Sequence, residues 1–378
     1  MRNWWLIRFN RNFSMLMLAG ILMFINQSGK AQNQKSSFFS TLFLEAKLHQ
    51  SAIMAHHTEM WSLTDGIYTS YEISLVRQTT GRTSNAFLWK YPRYGISYHY
   101  SDFGGSPWLG EAHSVMPFVS LELWKSKRFL LDFRVLFGAG YFTRIYDPAD
   151  NYKNRAISSH WNASVNFQLA GKIKLTEISD FMGGLSMLHL SNGTTRSPNF
   201  GLNIPGGFAG IAFKFSGKPI SFQSPDSIQY KKGKQNIRLA FGMAQKELPD
   251  FYRQKFLVFH YEMAYTRYYN HTNRYILGLE ALHDQSTALI VKKAGMVNDN
   301  ALKLSKYSVV AGHEWMFSNF AINFSLGFYV YNPDEKNDFF FNKIGINYFL
   351  HKNLFTSLTL KSHYAKADYL ALVLGLSF

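Results

Sequence analysis

Long stretches of this 378-residue chain alternate apolar and polar side chains one by one. That is the period of a β-strand whose two faces meet different surroundings. In RFLLDFRVLFGAGYF, Phe129, Leu131, Phe133, Val135, Phe137 and Tyr141 fall on one face, while Asp132, Arg134, Gly138 and Gly140 share the other. KFLVFHYEMAYTR puts Leu257, Phe259, Tyr261, Met263 and Tyr265 opposite His260, Glu262 and Thr266. The last ten residues, YLALVLGLSF, line up Leu370, Leu372, Leu374, Leu376 and Phe378. Extended along the chain, the pattern predicts about sixteen strands, from 37–48 through 181–191 and 205–216 to 369–378.

The connections carry as much information as the strands. WKSK, EISD, NHTN, FSN and HKN are tight turns, and they alternate with longer polar loops at 49–66, 145–157, 192–204 and 286–303. Outer-membrane barrels have this asymmetry, with short periplasmic turns and long external loops, and a last strand ending in Phe resembles their terminal recognition strand. The expected fold is therefore all-β, an antiparallel transmembrane β-barrel, and the loop polarity puts Ser191 at the external end of its strand.

Composition agrees. Phe (34) and Tyr (22) are abundant, yet mean hydropathy is slightly negative, as expected when lipid-facing and lumen-facing residues alternate and aromatics collect at the interfaces. Residues 1–31 read as a secretory signal peptide cleaved near Ala31: Arg2, Arg8 and Arg11 precede the apolar run SMLMLAGILMFIN, and small and polar residues follow. The absence of Cys removes disulfides and a lipoprotein anchor. No stretch is long and apolar enough for a helical span. Without Arg2, Arg8, Arg11 and Lys30 the formal charge falls from +16 to +12. In an exported barrel that excess suits anionic outer-membrane lipid rather than nucleic acid, and such a chain needs the barrel-assembly machinery as a partner.

A weak internal echo divides the chain. Trp124, Phe129, Phe133 and Tyr146-Asp147-Pro148 are answered by Trp315, Phe320, Phe324 and Tyr331-Asn332-Pro333. A half at 32–216 and a half at 236–378 would then meet at the polar segment 217–235, expected on the periplasmic side. One sixteen-stranded barrel and two consecutive eight-stranded barrels both fit. The single barrel is the preferred expectation, because the first of two would lack the terminal-strand signal.

Chemistry concentrates at MLHLSNGTTRSPNFGLN (187–203). His189 and Ser191 are two residues apart and share a strand face, so they form either a base and nucleophile or the polar end of a strand entering a Ser-Asn-Gly turn. Phe181, Leu185 and Met187 lie on the same face, toward lipid, although Leu188 and Leu190 on the other face blur the alternation. The stretch resembles the active-site strand of the lipid A 3-O-deacylase (PagL) and acyloxyacyl hydrolase-like outer-membrane family, in which His-x-Ser-Asn is followed by Asn-x-Gly-hydrophobic-Glu. The resemblance extends over roughly 33–216. It implies an esterase removing an acyl chain from lipid A or lipopolysaccharide, with Ser191 as nucleophile, His189 as general base, and Asn192 or the Asn192 and Gly193 backbone NH groups stabilising the oxyanion. The family's acid falls on Asn203, whose amide can orient an imidazole but carries no charge for the imidazolium. The other reading is a barrel without chemistry, porin-like or structural, that keeps the motif as a remnant.

Other candidates are weaker. His49, His56 and His57 could share a metal in one loop, but no carboxylate is spaced to complete the set, so no metal is expected. KSHYAKADY puts Ala365 where a serine would be needed after His363, which reads as a structural lumen residue. Glu122, Asp132 and Glu262 read as lumen acids with basic neighbours. FGGSPWLG (103–110) lacks the strand and helix of a phosphate loop, and nothing suggests a cofactor.

Overall fold

The computed structural model describes residues 35–378 except 65, 82, 226–227, 229–230, 249–253, 294, 296–299, 335–338 and 364–365. The expected signal peptide lies outside the described residues. After a short helix α1 (Lys35–Ser40), eight antiparallel strands follow: β1 (Leu42–Ser51), β2 (Tyr68–Gln78), β3 (Arg93–Ser101), β4 (Ala112–Lys125), β5 (Phe129–Phe142), β6 (Trp161–Lys174), β7 (Ser179–Ser191) and β8 (Leu202–Lys214). Helix α2 (Ser84–Leu88) sits between β2 and β3. The second set is β9 (Gln235–Glu247), β10 (Lys255–Tyr268), β11 (Asn273–Asp284), β12 (Lys306–Phe317), β13 (Phe320–Tyr331), β14 (Phe340–Phe349), β15 (Leu354–His363) and β16 (Lys366–Ser377), with helix α3 (Gln285–Lys293) before β12.

Each set closes on itself, so the chain forms two eight-stranded barrels in series. The preferred expectation of one sixteen-stranded barrel is corrected, and the alternative of two consecutive barrels is what is observed. The reason is visible at the seams. β1 pairs β8 from Phe43 with Lys214 to Ser51 with Gly206, and β16 pairs β9 from Ala371 with Ala244 to Ser377 with Arg238. Gly206 and Gly210 let the first seam close: a Cβ on Gly210 would lie 2.3 Å from the Ala46 carbonyl oxygen, and one on Gly206 would lie 2.1 Å from Ser51 Oγ. The echo also falls into place, since Trp124 and Phe129 flank the turn between the fourth and fifth strands of the first barrel, as Trp315 and Phe320 do in the second.

The predicted faces sort as the alternation requires. Leu44, Leu48, Ile73, Leu75, Phe181 and Leu185 are exposed on the outside of the first barrel, as are Leu277, Leu279, Leu372, Leu374 and Leu376 on the second. Inside, charges meet across a narrow lumen. Glu45 accepts from Lys172 (2.8 Å) and pairs with Arg134 (2.7 Å); Lys172 also reaches Asp132 (3.0 Å). Glu72 holds Lys47 (2.7 Å) and Gln168 Nε2 (2.7 Å). In the second barrel Glu280 binds Lys343 and Lys361, and Glu314 binds Arg238 and Arg274. The half of the first lumen toward the long loops is filled differently, by Met60, Phe103, Leu109, Met116, Leu136, Phe142, Ile157, Leu188 and Leu190 among others. This explains why Leu188 and Leu190 break the polar pattern on the inner face of β7.

The barrels touch at both ends. Trp89 Nε1 donates to the Met316 carbonyl (2.8 Å) and its ring stacks on Phe317. At the other end the loop after β7 meets β9 and β16.

Removing one partner from a buried ion pair costs roughly 3–5 kcal/mol, because the remaining charge stays desolvated. Glu45→Ala strands Arg134 and Lys172 and is expected to lower the temperature at which the folded, fast-migrating barrel converts to the unfolded form on a detergent gel. An unchanged conversion temperature would show that the lumen charges are solvated rather than paired.

Candidate active site at the external rim

Ser191 ends β7, and Asn203 lies at the start of β8, directly opposite His189 in the ladder. Strand geometry therefore brings His189 and Asn203 together, and their side chains hydrogen bond, with His189 Nδ1 2.7 Å from Asn203 Oδ1. By strand parity His189 and Ser191 lie on the outward face with Phe181 and Leu185, but those two are exposed whereas His189 is half-buried and Ser191 is buried. No hydrogen bond joins Ser191 Oγ to the imidazole. The Oγ instead accepts from Asn199 Nδ2 (2.8 Å) and from the Gly193 backbone NH (3.3 Å).

Asn192 is placed differently from the expectation. Its Nδ2 donates to Ser158 Oγ (3.1 Å) and the Arg196 carbonyl (3.0 Å), and its backbone NH donates to Asn199 Oδ1 (3.2 Å). Asn192 thus braces the loop. The donors that converge on Ser191 belong to Gly193 and to Asn199, a residue not singled out from the sequence beyond its place in the Asn-x-Gly stretch.

The loop between the two strands is held from three sides. From the 143–160 loop, the carbonyls of Arg155 and Ala156 accept from the NH groups of Phe200 (3.2 Å) and Gly201 (3.0 Å). From the 52–63 segment, His57 stacks on Phe200 at 4.3 Å; the Arg155 guanidinium of the 143–160 loop lies 5.2 Å from the same ring. From the second barrel, the Glu247 NH donates to the Thr194 carbonyl (2.8 Å), Ser197 Oγ donates to the Glu247 carbonyl (3.2 Å), and Thr194 Oγ1 donates to the Asp368 carbonyl (2.5 Å). Lys246 fixes the Asp368 carboxylate from below at 2.7 Å. At the rim, Glu59 pairs with Arg155 at 3.5 Å. Its own backbone NH and the Thr58 hydroxyl hold its carboxyl below the usual range.

The histidines separate. His49 is not a loop residue: it lies in the lumen on β1, where Glu72 and His99 join it within metal-ligand distance, a set assembled from three strands and invisible to spacing. His260, Glu262 and Glu280 form a similar cluster in the second barrel. In both, a lysine ammonium, Lys47 or Lys343, already supplies the positive charge a cation would bring. His363 pairs with Tyr329 (3.1 Å) in the second barrel. The 103–110 segment contributes Phe103 and Leu109 to the apolar plug.

The fold is that of an outer-membrane β-barrel protein, here two closed eight-stranded barrels in one chain, with His189, Asn203 and the buried Ser191 gathered at the end of β7. Residues 69–212 match the family model described as lipid A 3-O-deacylase (PagL), and residues 234–378 match that described as acyloxyacyl hydrolase, C-terminal domain. The chain belongs to this outer-membrane deacylase family. No curated protein matches it. Among solved structures it is similar to Neisserial surface protein A, at 10% identity and TM-score 0.33, over 46% of this chain and 96% of that one. It is also similar to Omp33 of Acinetobacter baumannii, at 7% identity and TM-score 0.17, over 90% of this chain and 98% of that one.

Gly201 is the backbone position on which the site closes. Its φ is +74°, and an added Cβ would lie 3.1 Å from the Leu190 carbonyl oxygen, 3.2 Å from His189 Cε1 and 3.3 Å from Ser191 Cβ. Gly201→Ala adds about 1–2 kcal/mol of left-handed backbone strain and displaces the imidazole. It is expected to increase amide hydrogen exchange across 192–203 while the other β7 amides keep their protection. Unchanged exchange would mean the loop tolerates a side chain there.

Proposed function

We propose that this protein is an outer-membrane esterase that removes an acyl chain from lipid A or a similar outer-leaflet lipid through Ser191 and His189. The observation that carries the reading is the placement of the His189–Asn203 hydrogen bond beside Ser191 at the end of the outward-pointing face of β7, the side from which the ester of a membrane-resident lipid would approach. His189 Nε2 takes the Ser191 hydroxyl proton as Oγ attacks the ester carbonyl carbon. The tetrahedral oxyanion accepts from the Gly193 NH and Asn199 Nδ2, the donors that now converge on Oγ, and losing one such donor costs about 100-fold or more. Collapse breaks the ester C–O bond, and His189 returns its proton to the leaving alcohol. Water, deprotonated by the same imidazole, then releases the fatty acid from Ser191. A hydroxyl–imidazole hydrogen bond is often loose before substrate arrives, which fits its absence here.

Mass spectrometry of lipid A from cells expressing the wild-type chain is expected to show loss of one acyl chain, and the Ser191→Ala strain none. Identical spectra would remove the esterase reading and leave a barrel without chemistry.

Topology offers a separate check. A tag within 192–200 is expected to react with an impermeant reagent on intact cells, and one within 219–225 is not. The reverse labelling would put the serine in the periplasm, away from outer-leaflet lipid.

Asn203 sets the rate. Asn203→Glu restores a carboxylate for the imidazolium formed during attack and is expected to raise kcat at least tenfold; Asn203→Ala is expected to lower it. If neither variant changes kcat, the imidazole works without this partner.

A further inference from the structure

A carboxylate beside a catalytic imidazole accepts with either oxygen, whereas an amide accepts at one end and donates at the other. With Asn203 the tautomer of His189 therefore depends on which way the amide faces. Turned with Oδ1 toward His189, it calls for a proton on Nδ1 and leaves the Nε2 lone pair free for Ser191. Turned the other way, it offers an NH to Nδ1, puts the imidazole proton on Nε2 and removes the base.

His56 resolves this choice. Its Nε2 lies 2.9 Å from the Phe200 carbonyl oxygen, which can only accept, so Nε2 carries the proton. A neutral imidazole then has an acceptor at Nδ1, and Asn203 Nδ2 lies 3.3 Å from it. With Nδ2 committed to His56, Oδ1 is left facing His189 Nδ1 at 2.7 Å. The Met54 carbonyl, 3.5 Å from His56 Nδ1, offers no proton and does not compete for that lone pair. The backbone bridge between Met54 and Asn203, with the Met54 NH donating to the Asn203 carbonyl at 2.8 Å, keeps the His56 loop registered on β8.

We propose that His56 is a positioning residue that locks the Asn203 amide in the orientation that makes His189 Nε2 a base, and so stands in for the missing acid's indifference to rotation. This rests on the Ser191–His189 reading above. No proton travels along the relay. The protons moved in the reaction pass only through His189 Nε2, which exchanges them with Ser191 Oγ, the leaving alcohol and the attacking water; His56 takes none of them.

The test is a double-mutant cycle on the full chain in detergent micelles, hydrolysing p-nitrophenyl decanoate. His56→Ala is expected to lower kcat about tenfold with KM within twofold. His56→Asn, whose Oδ1 falls near the place of Nδ1, is expected to recover most of the loss. In an Asn203→Asp background, where both oxygens accept, His56→Ala is expected to change kcat by less than twofold. Equal losses in both backgrounds would make His56 a structural or substrate contact and overturn the proposal, as would no loss in either. A readout independent of turnover is the tautomer itself. Nitrogen NMR of histidine-labelled protein is expected to place the His189 proton on Nδ1 in the wild type and to show mixed tautomers in His56→Ala. A protein that hydrolyses nothing yet shows this shift would end the esterase reading and keep the relay; hydrolysis with an unaltered His189 tautomer would do the reverse.

Discussion

The dimension that governs this molecule is the reach of a charged side chain across a lumen. Glu45 on β1 meets Arg134 on β5 and Lys172 on β6, and Glu72 on β2 meets Gln168 on β6. These partners come from far around the wall, and they touch only because eight strands make a barrel narrow enough for side chains to fill. In a sixteen-stranded barrel the same carboxylates would face water, as in porins, and the pairing would dissolve. Glu314 among Arg238, Arg274 and Asn347 repeats the arrangement in the second barrel. Buried charge thus selects barrel size more strictly than the outward apolar residues do, because lipid accepts an apolar face on a barrel of any circumference.

The two kinds of lumen filling divide the labour along the axis. Ion pairs occupy the middle and the half toward the short turns, whereas Met116, Leu136, Phe142, Leu188 and Leu190 seal the half of the first barrel toward the long loops. The seal gives the long loops a dry floor. Ile157 and Leu202 pack into it, which anchors both the 143–160 loop and the start of β8. Those anchors deliver Asn199 and Gly201 to Ser191, so the surroundings of a buried serine at the end of β7 are decided by what fills the inside of the wall.

Much of this was legible in the chain. Alternation identified the strands and their faces, loop lengths gave the rim, and the resemblance of HLSNGTTRSPNFGLN singled out His189, Ser191 and Asn203, of which the ladder joins His189 with Asn203. Closure was not legible, because a strand's own sequence says where its side chains point but not whether β8 turns back to β1 or continues to β9. The seam glycines Gly206 and Gly210 were the available signal. His49 was grouped with His56 and His57 by proximity in sequence, although a strand boundary at Ser51 separates lumen from loop. The part played by His56 depends on one rotamer of Asn203 and on the Phe200 carbonyl, contacts between segments some 145 residues apart. Helix α3 was read as loop because its apolar face is short and its flanks are polar.

The second barrel differs from the first at the place that corresponds to the site. β15 and β16 correspond in order to β7 and β8, and His363 ends β15 as Ser191 and His189 end β7, but its imidazole is engaged by Tyr329 and the chain offers Ala365 rather than a serine. Where β7 and β8 are joined by the ten residues 192–201, β15 and β16 are joined by only two, 364 and 365. The backbone of Asp368 and the side chain of Leu370 are then accessible to the longer loop of the first, and Thr194 and Gly193 rest against them. The half that lacks the motif's serine supplies a wall for the half that has it. Behind that wall Lys246 ties Asp368 to Asp284 inside the second lumen, so the buried charges that set barrel size also hold the loop that carries the donors to Ser191.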